Sequence, residues 1–348
     1  MNTNLLQPFE YDALGALRSR IAMAAMTRGF CGPNHTATSL MAEYYGKRAD
    51  NGVGLILTEG TIIHTTGDGY NNVPHIETDQ QAKSWGPVVS RVHESGGKII
   101  CQLWHCGRIS HSDYTGGVPP LSSSDVAAEG INRQNGRPFG RPKAMAQEDF
   151  AVVTDQFVRA ARNAIEADFD GVQLHFGHGY LVDQFFDNRI NRRADCYGGS
   201  VGNRCRFAVE ILEQVIAAIG APKVMVRISP SREMGGAIYE WQDLEEMLKY
   251  LLSAFDRLGL RMLDISCANS DYYSTAGRLV RVARQVWPYF LIGGASLSVE
   301  QAEDEVRSGF LDMVTWGRAL IANPDLPIRF KNREPLIQFD RDMLGYLS

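Results

Sequence analysis

No Cys-x-x-Cys pair occurs among the six cysteines, which stand alone at 31, 101, 106, 196, 205 and 267. In a chain of 348 residues that scatter predicts reduced thiols and excludes a disulfide scaffold. No stretch approaches the roughly 18 apolar residues of a spanning helix. Met1 to Arg20, with Pro8, Glu10 and Asp12, lacks the basic segment and apolar core of a secretory leader. Basic side chains do not dominate either: 35 Lys and Arg face 40 Asp and Glu, and the formal charge of −5 repels a nucleic-acid backbone. The 34 glycines contain no G-x-G-x-x-G, which argues against a dinucleotide-binding doubly wound sheet. These absences predict a soluble, cytoplasmic protein that binds neither membrane nor nucleic acid.

What is present is ordinary in amount and regular in arrangement. The chain is 44% hydrophobic and 22% charged, values that exclude disorder and collagen. Eight short apolar runs recur along it, at Ile21 to Ala25, Val53 to Leu57, Lys98 to Leu103, Gly171 to His175, Lys223 to Ile228, Met262 to Ser266, Phe290 to Gly293 and Leu311 to Thr315. Helical spacing separates them, as in Phe150, Val153, Phe157, Ala160, Ala161, Ala164 and Ile165, and again in Phe207, Ile211, Leu212, Val215, Ile216 and Ile219. Strands apolar on both faces, alternating with helices, predict an α/β fold in which residues 1–348 form a single (β/α)8 TIM barrel. Two segments break the rhythm. Cys106 to Ala146 predicts a long capping loop after the third strand, and Gly177 to Gly202 lies between the fourth strand and its helix. Both follow strand C-termini, the face where barrel active sites lie.

Polar residues that a strand pattern does not need collect at the same ends: Thr27, Glu59 and Gly60, Gln102 and Trp104, His175 and His178, Arg227, Gly293 and Gly294, and Gly317 with Arg318. Glycines after strands seven and eight, beside an arginine, suit a phosphate-bearing ligand, or are turn glycines next to a surface arginine. His175-x-x-His178 admits three readings. The pair could bind metal with a further ligand, with Asp183 and Asp187 the nearby acids, could simply pack, or could hold a substrate oxygen on which negative charge develops. Tyr180 is a candidate proton donor or a packing residue.

The residues resemble the Old Yellow Enzyme family of FMN-dependent ene-reductases over nearly the whole chain. The likeness is carried by Arg20-Ile-Ala-Met-Ala-Ala-Met-Thr-Arg28, Thr58-Glu-Gly60, Gly69-Tyr70 with Pro74, and Gln102-Leu-Trp-His-Cys-Gly-Arg108. It continues through His175-x-x-His178-Gly-Tyr180-Leu, Asn191-x-Arg-x-Asp-x-Tyr-Gly-Gly-Ser200 with Asn203-Arg204, Arg227-Ile-Ser-Pro230, Trp316-Gly-Arg318 and Asn323-Pro-Asp-Leu326. The resemblance implies that Thr27 bonds the flavin near O4, that Gln102 and Arg227 hold its pyrimidine end, and that Ala25, Met26 and Gly60 add contacts. It implies that Gly294, Ala295, Gly317 and Arg318 take the FMN phosphate. His175 and His178 would bind the substrate's activating oxygen, Tyr180 would protonate the α-carbon, and Tyr70 and Trp104 would line the pocket.

NADPH or NADH would be the co-substrate, using the same pocket in turn with an electrophilic alkene, in ping-pong order. No metal is expected, and the protein would be a monomer or homodimer. Two other outcomes stay open: a pathway-specific relative acting as reductase or isomerase of one metabolite, or a flavin-binding barrel without turnover. From a different class comes a metal-dependent barrel hydrolase built on His175 and His178. The sequence departs from the family pattern at Ala25, where proline is usual, in the short segment after Ser229-Pro230, and near Ser348, where a pocket-closing aromatic is replaced by Gly345 or displaced to Tyr346.

Overall fold

The computed structural model describes residues 4–234, 237–268 and 270–348. All eight apolar runs are strands: β1 Ile21–Met23, β2 Leu55–Leu57, β3 Lys98–Trp104, β4 Gly171–His175, β5 Val224–Ile228, β6 Met262–Ile265, β7 Phe290–Ala295 and β8 Met313–Trp316. Each pairs in parallel with the next, and β8 returns to β1 through Val314↔Ile21, Thr315↔Ala22 and Trp316↔Met23, so the sheet closes. Closure leaves no unpaired edge.

Alternation along these strands builds two apolar layers. Outward residues such as Ile56, Cys101, Val172, Val226, Leu263 and Val314 pack against the surrounding helices. Inward residues Ala22, Leu55, Leu57, Ile100, Met225, Met262, Ile292 and Met313 fill the lower barrel. An antiparallel hairpin, Phe9–Tyr11 with Gly15–Leu17, plugs the bottom, with Leu14 and Leu17 in this inner cluster and Tyr11 stacked on Phe290 at 4.4 Å. The two helices read from periodicity are Gln147–Glu166 and Val201–Ile219. They bury Phe150, Val153, Phe157, Phe207, Ile211 and Leu212 against the barrel. Ser200 caps the second helix by accepting from the Asn203 amide.

Both long loops carry structure of their own. In the loop after β3, Leu121–Ser122 pairs with Lys143–Ala144 and Ile131–Asn132 with Arg137–Pro138. The Asn132 amide donates to the Gly69 carbonyl, and Tyr114 donates to Asn71 at 2.8 Å, so this loop rests on the segment that follows β2. The loop after β4 holds a short helix, Asp183–Phe186.

Candidate active site

Two steps along a strand carry a side chain from the apolar floor to the mouth, and there the chemistry changes. Ile100 gives way to Gln102 and Trp104, Met225 to Arg227, and Met262 to Asp264 and Ser266. The upper barrel is therefore a polar chamber over a hydrophobic base. Gln102 and Arg227 are nearly buried in it, at 4% and 5% exposure.

Two adjoining clefts open above. The larger, of about 400 Å³, is within the range of small-molecule sites, and is lined by Ala24, Ala25, Met26, Arg227, Ala295, Gly317 and Arg318 among others. The smaller is lined by Ala25, Thr27, Gln102, Trp104, His175, His178, Tyr180 and Arg227. Ala25, His178 and Arg227 belong to both. Residues drawn from seven strand ends, spread over nearly 300 positions of sequence, thus meet at one place.

The chain after β1 is held by Glu59, whose buried carboxylate accepts from the Arg28 and Gly29 amides, each at 3.0 Å. This fixes the backbone immediately after Thr27. Burial pushes the Glu59 carboxyl up to about 7 against the pull of those amides. The loop after β4 is anchored by Asp183, which accepts from the Gly179 amide and from Trp241 Nε1, both at 2.6 Å, and pairs with buried Arg232 at 2.7 Å. Asp187 accepts from Arg189. The two acids therefore hold the loop and do not join the histidines as ligands. Among the described residues, the group of ligating side chains close enough for one ion is His35, Asp68 and His75, which excludes both. The His35 and His75 rings there lie near-parallel at 3.9 Å, so their in-plane lone pairs do not converge on one point.

His175 and His178 stand with rings perpendicular and centroids 5.0 Å apart. Burial, then the Arg227 guanidinium and then other charges, hold both imidazoles well below the usual histidine range, so both are neutral at physiological pH. His175 Nδ1 is buried with no partner. Ser266 Oγ accepts from Arg227 Nη2 at 2.7 Å and from the Ala268 amide at 3.1 Å. Its own proton is then left for His178 Nε2, 3.1 Å away, which assigns the His178 proton to Nδ1. His178 has φ of 60°, a left-handed conformation held by its amide donating to Ser229 Oγ at 2.6 Å.

Tyr180 packs edge-on against Trp104 at 4.8 Å and against His175 at 5.2 Å. Its hydroxyl lies 2.8 Å from that of Tyr70, a contact between residues 110 positions apart. Burial and the neighbouring Tyr70 push the Tyr180 phenol well above its usual value, and burial raises Tyr70 to about 12. Both are protonated donors. Gly60 lies outside the cleft linings and serves packing instead: a Cβ there would fall 2.3 Å from Trp104 Cε3. Gly317 does face the larger cleft, and a Cβ on it would meet Met26 Sδ at 3.0 Å. Gly294, at φ of 122°, and Ala295, at φ of 80°, are the last two residues of β7 and take conformations that L side chains rarely adopt.

Arg318 is exposed on the rim, with the Phe339 ring 5.6 Å from its guanidinium carbon. Tyr346, half exposed, is not in either lining, and its carbonyl accepts from Arg28 at 2.6 Å. The segment after Pro230 is a hairpin, Ser231–Met234 with Ala237–Glu240.

Known proteins place this arrangement. Residues 4–336 match the profile of the NADH:flavin oxidoreductase / NADH oxidase family. The old yellow enzyme homologue of Zymomonas mobilis superimposes with a TM-score of 0.91 at 33% identity, covering 99% of each chain. Morphinone reductase in complex with tetrahydroNAD gives 0.89 at 33% identity over 100% of this chain and 97% of that one. A putative 12-oxophytodienoate reductase 2 from Oryza sativa subsp. japonica is 36% identical over 97% of this chain and 89% of its own length. Membership of that family sets aside the metal-dependent hydrolase. The chain belongs to the Old Yellow Enzyme family, as an NAD(P)H-dependent flavin oxidoreductase built on a TIM barrel.

Proposed function

We propose that residues 1–348 act as one FMN-binding domain that reduces the C=C bond of α,β-unsaturated carbonyl or nitro compounds, with NADPH or NADH and the alkene using one pocket in turn. The observation that carries this reading is the pair of neutral imidazoles beside a protonated tyrosine, over a floor formed by Gln102 and Arg227. The residues present fit FMN. The guanidinium of Arg227 lies between the two clefts, Gly317 leaves open a strip of wall that a Cβ would close, and Arg318 stands at its rim to meet a phosphate. Bound there, FMN supplies a hydride acceptor from NAD(P)H and a hydride donor to the alkene.

The chain's own residues do the rest. Thr27, Gln102 and Arg227 orient the isoalloxazine, with Ala25 and Met26 shaping its walls and Gly60 leaving room behind them for the Trp104 ring. Gly294, Ala295, Gly317 and Arg318 receive the phosphate. His175 and His178, being neutral, each offer an N–H to an electron-withdrawing carbonyl or nitro oxygen and strengthen that bond as negative charge gathers on it. Tyr180 donates its proton to the α-carbon, and Tyr70 holds the Tyr180 hydroxyl in place while lining the pocket with Trp104. Relatives named as reductases of 12-oxophytodienoate and of morphinone agree with a carbonyl-activated substrate.

Steady-state oxidation of NADPH and NADH against a panel of unsaturated aldehydes, ketones, imides and nitroalkenes tests the reading. Turnover across several members supports it. Turnover of one alone favours a pathway-specific relative, and oxidation with no alkene reduced rejects it.

A further inference from the structure

The polar chamber contains a buried chain that the flavin contacts alone do not call for. Inward positions of four successive strands face one another across the register: Gln102 of β3 opposite Gln173 of β4, and Arg227 of β5 opposite Asp264 of β6. Gln102 Nε2 donates to Gln173 Oε1 at 2.7 Å, and Gln173 Nε2 donates to Asp264 Oδ2 at 3.0 Å, with Met225 Sδ at 3.1 Å as a second contact. Asp264 Oδ2 then lies 3.3 Å from Arg227 Nε. Gln173 is wholly buried and Asp264 is 1% exposed. Asp264 Oδ1 is buried with no partner at all. Burial pushes the Asp264 carboxyl above its usual range, against the opposing pull of the Arg227 charge and the Gln173 amide. Asp264 is also the acid that pairs with Arg227 among the described residues.

The two ends of this chain, Gln102 and Arg227, both line the smaller cleft, while its two middle members lie behind it. Whatever Asp264 does to a ligand therefore acts through Arg227. Arg227 Nε makes no hydrogen bond and Nη2 donates to Ser266 Oγ at 2.7 Å, so the carboxylate acts on this planar, always charged group as an ion pair along its Nε edge: with Ser266 it sets which edge faces the cleft, and by its charge how much positive potential reaches it.

We propose that Asp264 is a positioning residue and counter-charge: held through Gln173 to Gln102, it aims Arg227 at the pyrimidine end of FMN and cancels part of its charge, keeping the flavin's reduction potential low. This rests on the reading that FMN occupies the cleft. The physical reason is that reduction adds negative charge to the flavin beside Arg227. An uncompensated arginine would stabilise the reduced form strongly, and Asp264 limits that stabilisation. A flavin held at lower potential is the stronger hydride donor toward an alkene.

The test compares holoenzymes of wild type, Asp264→Asn and Asp264→Glu. FMN content and the visible spectrum are measured first, since a wild-type chain without FMN overturns the cofactor reading and this role with it, whereas FMN-loaded wild type leaves the role of Asp264 to be decided by the potentials alone. Midpoint potentials are then measured by equilibration with a redox dye. Asp264→Asn should shift the reduction equilibrium at least tenfold toward reduced flavin, about 30 mV for a two-electron couple, while Asp264→Glu, which keeps the charge, should stay within about threefold of wild type. FMN-loaded Asp264→Asn with an unchanged potential overturns the proposal. Equal shifts in both variants also overturn it, because packing alone would then be at work. Should Asp264→Asn fail to fold, carbon-13 spectra of aspartate-labelled wild-type holoenzyme decide the matter. The Asp264 carboxyl must be ionised with oxidised flavin bound, and a protonated Asp264 contradicts the account.

Discussion

The role proposed for Tyr180 rests on one group, its hydroxyl, and the Tyr180→Phe variant removes only that. General acid catalysis is worth about 10²- to 10⁴-fold, so turnover of an enone should fall by that order while reduction of the flavin by NAD(P)H, followed by rapid mixing, keeps its rate. Wild-type turnover in the variant would reduce Tyr180 to a wall of the pocket. His175 gives a pH prediction at the same scale. Its folded pKa lies well below the unfolded value of 6.5, so below pH 6.5 the unfolded chain takes up a proton that the native one refuses. Stability should therefore fall as pH drops from 6.5 toward the folded pKa, by up to about 1.4 kcal/mol per pH unit for this one group. Glu59 has the opposite sign: its carboxyl is raised from 4.5 to about 7, so its ionisation in the unfolded chain costs stability as pH rises through that window. Glu59→Gln should gain on wild type between pH 4.5 and 7 and hold a constant advantage above it, as measured by denaturant titration at each pH. At this scale the sequence shows which residue types are available but not their partners. The hydroxyl contact of Tyr70 with Tyr180 crosses 110 positions, and only the closed barrel brings β2 and β4 loops together. Gln173 and Asp264 did leave a signal, each a polar residue at the inward phase of an otherwise apolar strand, but that signal says nothing about Arg227.

Elements are where the sequence is most readable, because a strand covered on both faces must be apolar at every position and a helix on a barrel must be apolar at every third or fourth. All eight strands and both periodic helices follow from that. Boundaries follow less well: β2 begins at Leu55 rather than Val53, since Gly54 is pressed against the Ser19 carbonyl, 2.2 Å from where its Cβ would be, and β1 ends at Met23 where the chain turns toward the cleft. The bottom hairpin and the ladders inside the capping loop were illegible, being two- and three-residue strands with no period to detect. The turn after β8 carries a prediction. Arg318→Ala would delete the charge-assisted contact proposed with the FMN phosphate, worth about 1.5 to 3 kcal/mol, so FMN affinity by fluorescence titration should weaken by roughly 10- to 150-fold. Unchanged affinity would place the phosphate elsewhere. Gly60→Ala tests the layer beneath the pocket: its methyl would collide with Trp104, and overpacking of this kind costs about 1 to 3 kcal/mol. The melting temperature should fall, and the Trp104 fluorescence should change with it.

Across the whole molecule, an apolar floor below and a polar chamber above give one barrel two jobs. Met225, Met262 and Met313 keep the lower half dry, and that dryness is what makes Arg227, Asp264 and the two imidazoles electrostatically effective above it. No helix among the described residues is long and apolar enough to cross a membrane. If one cleft carries hydride from a nicotinamide to an alkene through FMN, as proposed, an anaerobic double-mixing experiment follows both halves of the transfer. The flavin is first reduced by a single equivalent of NADPH or NADH, then mixed with cyclohexenone or a nitroalkene, while flavin absorbance is recorded and the product is identified. One FMN per chain should be found, with full bleaching in the first mix and recovery in the second at a rate that rises with alkene concentration, the C=C bond being saturated. A flavin that bleaches but is reoxidised by none of these alkenes, or a protein that holds no flavin, would contradict the proposal.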